Sequence, residues 1–416
     1  MLLALKRNPA IREAKRNVRR LAARVPQAES LNDPRLQVAP FGEMTETAAG
    51  QTGLMTSVSQ KLPLPSKLRT RGDIAQQDVA MAKHQLRETR LRIAGDVRRA
   101  YWNYYLAVRS IEVTKENQRL LRQFKQTAQA KYKAGTASQE DVLRAATELS
   151  NLQNKLSTLN QRKQTATAML NRLMNRPVTQ SLPKPKRLEF ERTSLRSKKL
   201  LRQAEANNPQ VARVRERIEK SRAKRKLANL NRWPDLTVSA NYNAVQDDGL
   251  SPVATGEDAW WLGFGINIPL WQEKLDAAER EALEGRLQAS AALKETQNTV
   301  AFRVQDALTR FRTQQDQVAL FKGTILPQAE QTVRASMSSY RAGDEDFLTV
   351  INNWQKLLQF EIAYHKTLAQ LKQDLADLRQ QVGQPVIQSD HSTATQPRTQ
   401  PRPEPKPDVN AEIDDE

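Results

Sequence analysis

The sequence predicts a mainly α-helical protein with a small β part, built as two copies of one unit. Three observations carry that reading. The 416 residues are rich in Ala, Gln, Leu, Lys, Arg and Glu, with aromatics at only 5% and 14 Gly, which is the composition of long helices. Short motifs recur in the same order about 200 residues apart. Strict alternation of apolar and polar residues is confined to short stretches, each pair followed by a very long stretch with apolar residues three and four apart.

The repeat is read from pairs of motifs. Asn8-Pro9 returns as Asn208-Pro209, Pro34-Arg35-Leu36-Gln37-Val38 as Pro234-Asp235-Leu236-Thr237-Val238, and Leu62-Pro63-Leu64 as Ile268-Pro269-Leu270. Lys67-Leu68 returns as Lys274-Leu275, and Tyr132-Lys133-Ala134-Gly135 as Tyr340-Arg341-Ala342-Gly343. Between them Ile93, Val97, Tyr101, Tyr104 and Ile111 match Val300, Val304, Leu308, Phe311 and Val318. The first unit is therefore placed at 1–176, with a β-hairpin at 35–63 and a helical hairpin at 67–175. A linker, 177–200, leads to the second unit, 201–385, with a β-hairpin at 235–270 and a helical hairpin at 274–382. The tail, 386–416, is rich in Pro, Thr, Gln and acidic residues and reads as disordered.

Within each unit the elements follow from local chemistry. Asn8 and Asn208 are N-cap residues with Pro at the first helical position, so helices are expected to about residues 29 and 231, the first kinked or ended at Pro26. Four strands follow, two per unit. The fourth is the clearest: Trp260, Leu262, Phe264, Ile266, Ile268 and Leu270 share one face. The third sets Leu236, Val238, Ala240 and Tyr242 against Thr237, Ser239, Asn241 and Asn243; the second is weaker, and the first, about 35–42, is the weakest. From Lys67 to about Lys133, and from Lys274 to about Arg341, heptad-like seams such as Leu86, Ile93, Val97, Tyr101, Tyr104, Val108 and Ile111 predict uninterrupted helices. Gly135 and Gly343 stop them, and Ser138 and Asp346 are N-caps for returning helices.

Composition removes several functions. Without Cys there is no disulfide, zinc–thiolate site or thiol nucleophile. His84, His365 and His391 lie far apart, and no catalytic triad, metal spacing or phosphate loop emerges, so neither an enzyme nor a cofactor is expected. The net charge of +20 raises nucleic acid or an anionic membrane as partners. Yet the basic residues are mixed with Glu and Asp along helices, without a clustered block, so nucleic acid is disfavoured. No run of 18 apolar residues exists for a transmembrane helix; a transmembrane β-barrel stays open, because its strands alternate.

Four strands cannot close a barrel, and an open sheet edge cannot sit in lipid. Three chains contributing four strands each would close a barrel of twelve, an even number. The apolar face would then meet lipid and the Ser, Asn, Thr and Gly face would line water. Trp233 and Trp271 flank one end of strands three and four, Trp260 and Trp261 the other, and with Tyr242 they read as an aromatic girdle. The alternatives are a soluble half-buried sheet with core tryptophans, and a soluble basic coiled-coil scaffold or nucleic-acid-associated protein. The clean alternation from Trp260 to Leu270 weighs against them.

These features together resemble the outer-membrane efflux protein family, the TolC-like channels. The resemblance rests on the two Asn-Pro pairs, the Pro-x-Leu-x-Val strand starts at Pro34 and Pro234, and Ile268-Pro269-Leu270-Trp271. It rests equally on Tyr132–Ser138 followed by Asp141-Val142-Leu143, and on Tyr340–Gly343 followed by Asp346-Phe347-Leu348. It covers about residues 2–385. It implies a homotrimer, with a barrel in the outer membrane continuing into a helical tunnel across the periplasm. The tunnel tips would meet a periplasmic adaptor protein, which links them to an inner-membrane pump. The tips here are Gly135, Thr136, Ala137 and Ser138, and Gly343, Asp344, Glu345 and Asp346. Family members with a narrowed tip carry acidic residues six and nine positions after the second of these glycines, where this chain has Thr349 and Asn352. The same offsets after Gly135 give Asp141 and Arg144. Three copies of Asp141 would form a carboxylate ring favouring cations; an Asp favouring the helix start is the other reading. Met1–Leu5 runs into Asn8 without the apolar core or cleavage site of a leader, so either a leader lies upstream of Met1 or the chain is not exported.

Overall fold

The computed structural model describes residues 1–42, 46–188, 190–246 and 255–383; the expected tail lies outside them. Two short helices, α1 (Leu2–Arg7) and α2 (Pro9–Ala22), lead through α3 (Arg24–Glu29) to strands β1 (Arg35–Pro40), β2 (Glu46–Thr47) and β3 (Gly50–Leu62). The long hairpin follows as α4 (Pro65–Lys133) and α5 (Gln139–Leu173). The second unit runs through α6 (Ser197–Asn207), α7 (Pro209–Leu230), β4 (Leu236–Gln246), β5 (Ala259–Ile266), α8 (Gln272–Leu320), α9 (Leu326–Ala342) and α10 (Phe347–Val382). Among the described residues no helix is long and apolar enough to cross a membrane.

Asn8 and Asn208 do more than cap. Each side chain accepts from the backbone two residues ahead, Ala10 N at 3.0 Å and Gln210 N at 2.8 Å. Each amide also donates to the end of its unit's returning helix: Asn8 to the Leu173 carbonyl at 2.9 Å, Asn208 to the Gln381 carbonyl at 2.7 Å. One buried residue thus ties the entry of each unit to its exit, across 165 and 173 residues. The positions just beyond those exits, Asn175 and Gly383, both have positive φ (53° and 78°), as helix C-termini favour.

Several expectations need correction. The first helix breaks at Ala23, before Pro26, which sits within α3. A fifth, two-residue strand, β2, pairs with β3. The fourth strand ends at Ile266, not Leu270: Asn267 turns its side chain to accept from Asp235 N at 2.6 Å, and Pro269 has no N–H to offer a ladder. The second long helix is interrupted by a π-turn, Phe321–Ile325, because Pro327 cannot continue an unbroken i→i−4 ladder. Its first-unit counterpart α4 runs 69 residues without a break, about 100 Å. Ser138 caps α5 by accepting from Glu140 N at 2.9 Å, whereas Asp346 stands at the cap position of α10 without such a bond.

Among the described residues the three largest apolar clusters form successive tiers. Ala4, Ile11, Ile93, Val97, Tyr104, Leu170 and Leu173 form the upper one. Leu121, Phe124, Leu152, Met337, Val350 and Trp354 form the one nearest the hairpin turns. Between them Tyr105, Phe311, Leu368, Leu371 and Leu375 are covered by Leu188, Phe190 and Leu195 of the segment read as linker. That segment is strapped down: Tyr104 Oη donates to the carbonyls of Leu182 and Pro183, each at 3.2 Å, and Arg109 donates to that of Pro185 at 3.0 Å. Its last residues join α6, which begins at Ser197.

His365 lies beneath this strap, edge-on to Tyr105 and Tyr364. Burial, then Arg109 and Arg187, lower its pKa to about 4. An unfolded chain would take up that proton near 6.5, so the contribution is full above that value and lost as the pH falls towards 4. Denaturant unfolding should weaken by about 3 kcal/mol across that window, and His365→Gln should flatten the slope; an unaltered slope would contradict the assignment. Asn208→Ala, which removes a cap and the tie to Gln381, should cost about 2–3 kcal/mol in the same measurement, against near-neutrality if the tie is incidental.

Candidate functional site

The sheet is antiparallel throughout, in the order β1-β3-β4-β5. On the Leu62 side of a bulge between Thr52 and Leu54, the register aligns the alternation of these four strands. Leu36 pairs with Val58, Val58 with Ala240 and Ala240 with Leu262, all on one face. One step along, Gln37, Ser57, Asn241 and Trp261 share the other. The apolar face is bare: Trp260 and Phe264 are 74% and 73% exposed, and Leu36, Val38, Leu262 and Ile266 are exposed too. Opposite, Gly263 and Gly265 pair with Ser239 and Thr237, so that side is polar and low. One face of the sheet is thus apolar and exposed, the other largely polar.

Aromatic residues mark the two margins of that skin. Tyr242 pairs with Trp260 on the apolar face at one end, while Trp233 and Trp271, both exposed, stand beyond the other. Trp261 falls on the polar face by register, so it differs from the rest of the expected girdle. Where sheet meets helices, Lys67 is buried and donates to Asp235 at 2.6 Å and to the Trp233 carbonyl at 2.7 Å; Lys61 approaches the same carboxylate at 3.1 Å. Sequence reasoning used Lys67 only as a repeat marker. The signal available was a Lys beside a strand start that carries an Asp in one copy alone.

The helical part carries the same geometry downward. α4 packs on α2 and α5 of its own unit and on α7 and α10 of the other. α8 packs on α7 and α10 of its own unit, with no comparable packing on α2 or α5 among the described residues. The sheet repeats this imbalance: β3 of one unit pairs with β4 of the other, while β5 and β1 are left as edges. At three levels, strands, upper helices and lower helices, the junction from unit one to unit two is made and the junction from unit two to unit one is open.

The turns at the far end are exposed. Gly135 and Gly343 take φ of 68° and 97°, and nothing lies within 4 Å of a side chain placed on either. Thr136, Ser138, Asp344 and Asp346 are exposed, Ala137 and Glu345 half-buried. The first turn is neutral; the second carries three carboxylates. The two hairpins are cross-tied just above them. Tyr340 is buried and donates to Asp141 at 2.9 Å, while Lys131 donates to the Tyr340 carbonyl at 2.6 Å and lies 4.8 Å from the centre of its ring. Burial, reinforced by Asp141, pushes the Tyr340 hydroxyl up, so it stays a proton donor. Arg144 pairs with Glu140, one turn back on the same helix. Thr349 is half-buried and Asn352 exposed. The structure therefore brings Asp141 to Tyr340, a pairing that the residue spacing did not reveal because it joins positions 199 apart.

Comparison with known proteins agrees with this geometry. The family described as outer membrane efflux protein matches residues 2–176 and 200–384. The cobalt-zinc-cadmium resistance protein CzcC of Cupriavidus metallidurans is 23% identical over 359 residues, 83% of this chain and 80% of that one. Among solved structures, the outer membrane protein VceC of Vibrio cholerae superposes with a TM-score of 0.75 at 19% identity, over 92% of this chain and 94% of that chain. The MtrE outer membrane channel of Neisseria gonorrhoeae gives 0.73 at 17%, over 93% and 88%.

Tyr340→Phe should remove one cross-tie and leave the buried packing whole. We expect a loss of about 1–2 kcal/mol, read as a lower thermal midpoint, and the same loss from Asp141→Asn only if the carboxylate charge strengthens the bond; two silent variants would show that the tie carries no load.

Proposed function

Because this chain belongs to the outer membrane efflux protein family, we propose that three copies close into a hollow duct that conducts cargo passively out of the cell. The observation that supports this most strongly is the half-made junction: strands and both helical tiers each offer an open side fitted to a further copy. With three copies the four long strands per chain become a closed barrel of twelve, with the apolar face of Leu36, Val58, Ala240 and Leu262 outward in the outer membrane. The polar face would line the water column, and α4 and α8 would extend it through the periplasm. The boundaries read from the repeat, 1–176 and 201–385 around a linker at 177–200, then describe two half-walls per chain. The soluble-scaffold and nucleic-acid alternative is not supported, since it leaves the exposed apolar skin without a purpose.

In this reading the tips Gly135–Ser138 and Gly343–Asp346 are the docking points for a periplasmic adaptor, which couples the duct to an energised inner-membrane pump. Their exposure and lack of crowding suit that role, and Asp344, Glu345 and Asp346 suit a basic partner. Asp141, set beside the buried Tyr340, would be the acidic member of a constriction, with Arg144, Thr349 and Asn352 around it. Trp233, Trp271, Trp260 and Tyr242 would mark the two interfaces of the bilayer.

Purified protein reconstituted into a planar bilayer should conduct, and Asp141→Asn should reduce its cation preference. Conductance with unaltered ion preference would remove the constriction from the proposal; absence of any conductance, together with recovery of the chain from a detergent-free soluble fraction, would remove the duct itself.

A further inference from the structure

Of the aromatic residues in the strands, Tyr242, Trp260 and Phe264 share the apolar face, and the register sets Trp261 alone on the polar one. β4 follows α7 and β5 leads into α8, so the start of β5 lies at the end of the sheet away from the helices. There Trp261 pairs with Asn241, Asn241 with Ser57 and Ser57 with Gln37. The next row outward on the same face sets Met55 beside Asn243. Neither row holds a charged residue. The cations of this face stand nearer the helices, at Arg35 and Lys61.

The indole is open. Trp261 is 43% exposed. Among the described residues its ring meets no other aromatic ring, and no Lys or Arg stands over it. The next two residues on its face of β5 are Gly263 and Gly265, so that strand raises no side chain on the helix side of the ring. The amides beside it have bonding capacity to spare. Asn241 Nδ2 donates to Ser239 Oγ at 3.3 Å, and Asn243 Oδ1 is covered without a donor among the described residues. A turn of the Asn243 amide towards the water would let it accept a bond it now lacks. Closing the sheet with further copies leaves this arrangement bare. A barrel of twelve strands is about 25 Å across between backbones, too wide for side chains on opposite walls to meet. A strand added beside β5 would lie alongside the ring, not over it.

We propose that Trp261, with Asn241 and Asn243 beside it and Met55 one strand further, is a stacking site for flat aromatic cargo that carries a hydrogen-bond donor. It stands at the outer end of the water column. This rests on the duct reading above and adds a place where cargo touches the wall. The bare indole offers the offset-stacked geometry that aromatic pairs prefer, as aromatic platforms do for flat bases in open channels. Met55 supplies a polarizable thioether at the ring edge of a bound solute. The two amides supply the hydrogen bonds that select a donor-bearing ring over a plain hydrocarbon. With no charge in either row, the solute is held without an ion pair.

Two measurements on the full-length protein test this. The chain has 6 Trp, so each ring is read as the emission lost on its replacement. In lipid vesicles the emission lost with Trp261→Phe should be quenched by iodide in the water, and that lost with Trp260→Phe by brominated lipid. Trp261 emission that resists iodide would remove the site and leave the duct; Trp260 emission that resists brominated lipid would remove both. Binding is then read from the fluorine-NMR line width of para-fluorobenzamide, a neutral flat ring with an amide donor, against matched detergent alone. Trp261→Ala should weaken its binding about tenfold, whereas Trp261→Phe and Trp260→Ala should keep most of it. The cyclohexane analogue of the probe should bind the unmodified protein about tenfold more weakly as well, a comparison that needs no variant to fold. Undiminished binding to Trp261→Ala, or equal binding of the saturated analogue, would overturn the stacking site.

Discussion

A β-sheet placed in hydrocarbon must have no free edge. Every unpaired N–H or C=O there costs several kcal/mol, and in this chain β1 and β5 each present a full row of them. No rearrangement within one chain removes both rows, because the four long strands are too few to curl shut. The other features follow from this. The sequence is doubled, and the junction between the unlike units is made once inside the chain. Most apolar residues of the four longer strands fall on a single face, with Trp261 and Met55 on the other. The helices repeat this below, with α8 lacking, among the described residues, the packing on the other unit's helices that α4 has.

The two units are copies in topology but not in mechanics. α4 is unbroken for 69 residues, while its counterpart yields at the π-turn before Pro327. The ties at the tips are also one-sided: Lys131 and Asp141 both reach Tyr340, whereas the corresponding positions Ser339 and Thr349 carry no charge and the corresponding Tyr132 is exposed. The junction inside the chain is therefore tied at the tips, and in the duct proposed above the contact between copies would lack those ties.

Most of the fold could be read without coordinates. The Asn-Pro pairs placed the caps, and the glycines placed the turns. What could not be read falls into two kinds. Local irregularities were hidden because they depend on how backbone donors are redistributed: the break at Ala23, the π-turn at Phe321–Ile325 and the early end of β5 at Ile266 all involve groups that alternation does not report. Long-range polar ties were hidden because they join residues with no shared period. Asn208 to the Gln381 carbonyl, Tyr340 to Asp141 and Lys67 to Asp235 span 173, 199 and 168 positions. The candidate tip residues were visible as exposed turns; that the acid among them is already bonded to a buried tyrosine was not.

The central claim is that one copy of this chain is physically unfinished. The mass of the detergent-extracted particle, with bound detergent subtracted by light scattering and refractive index, addresses it most directly. The account predicts three chains of 47.2 kDa and no smaller folded species. A homogeneous particle of one chain, stable after the detergent is withdrawn, would contradict it.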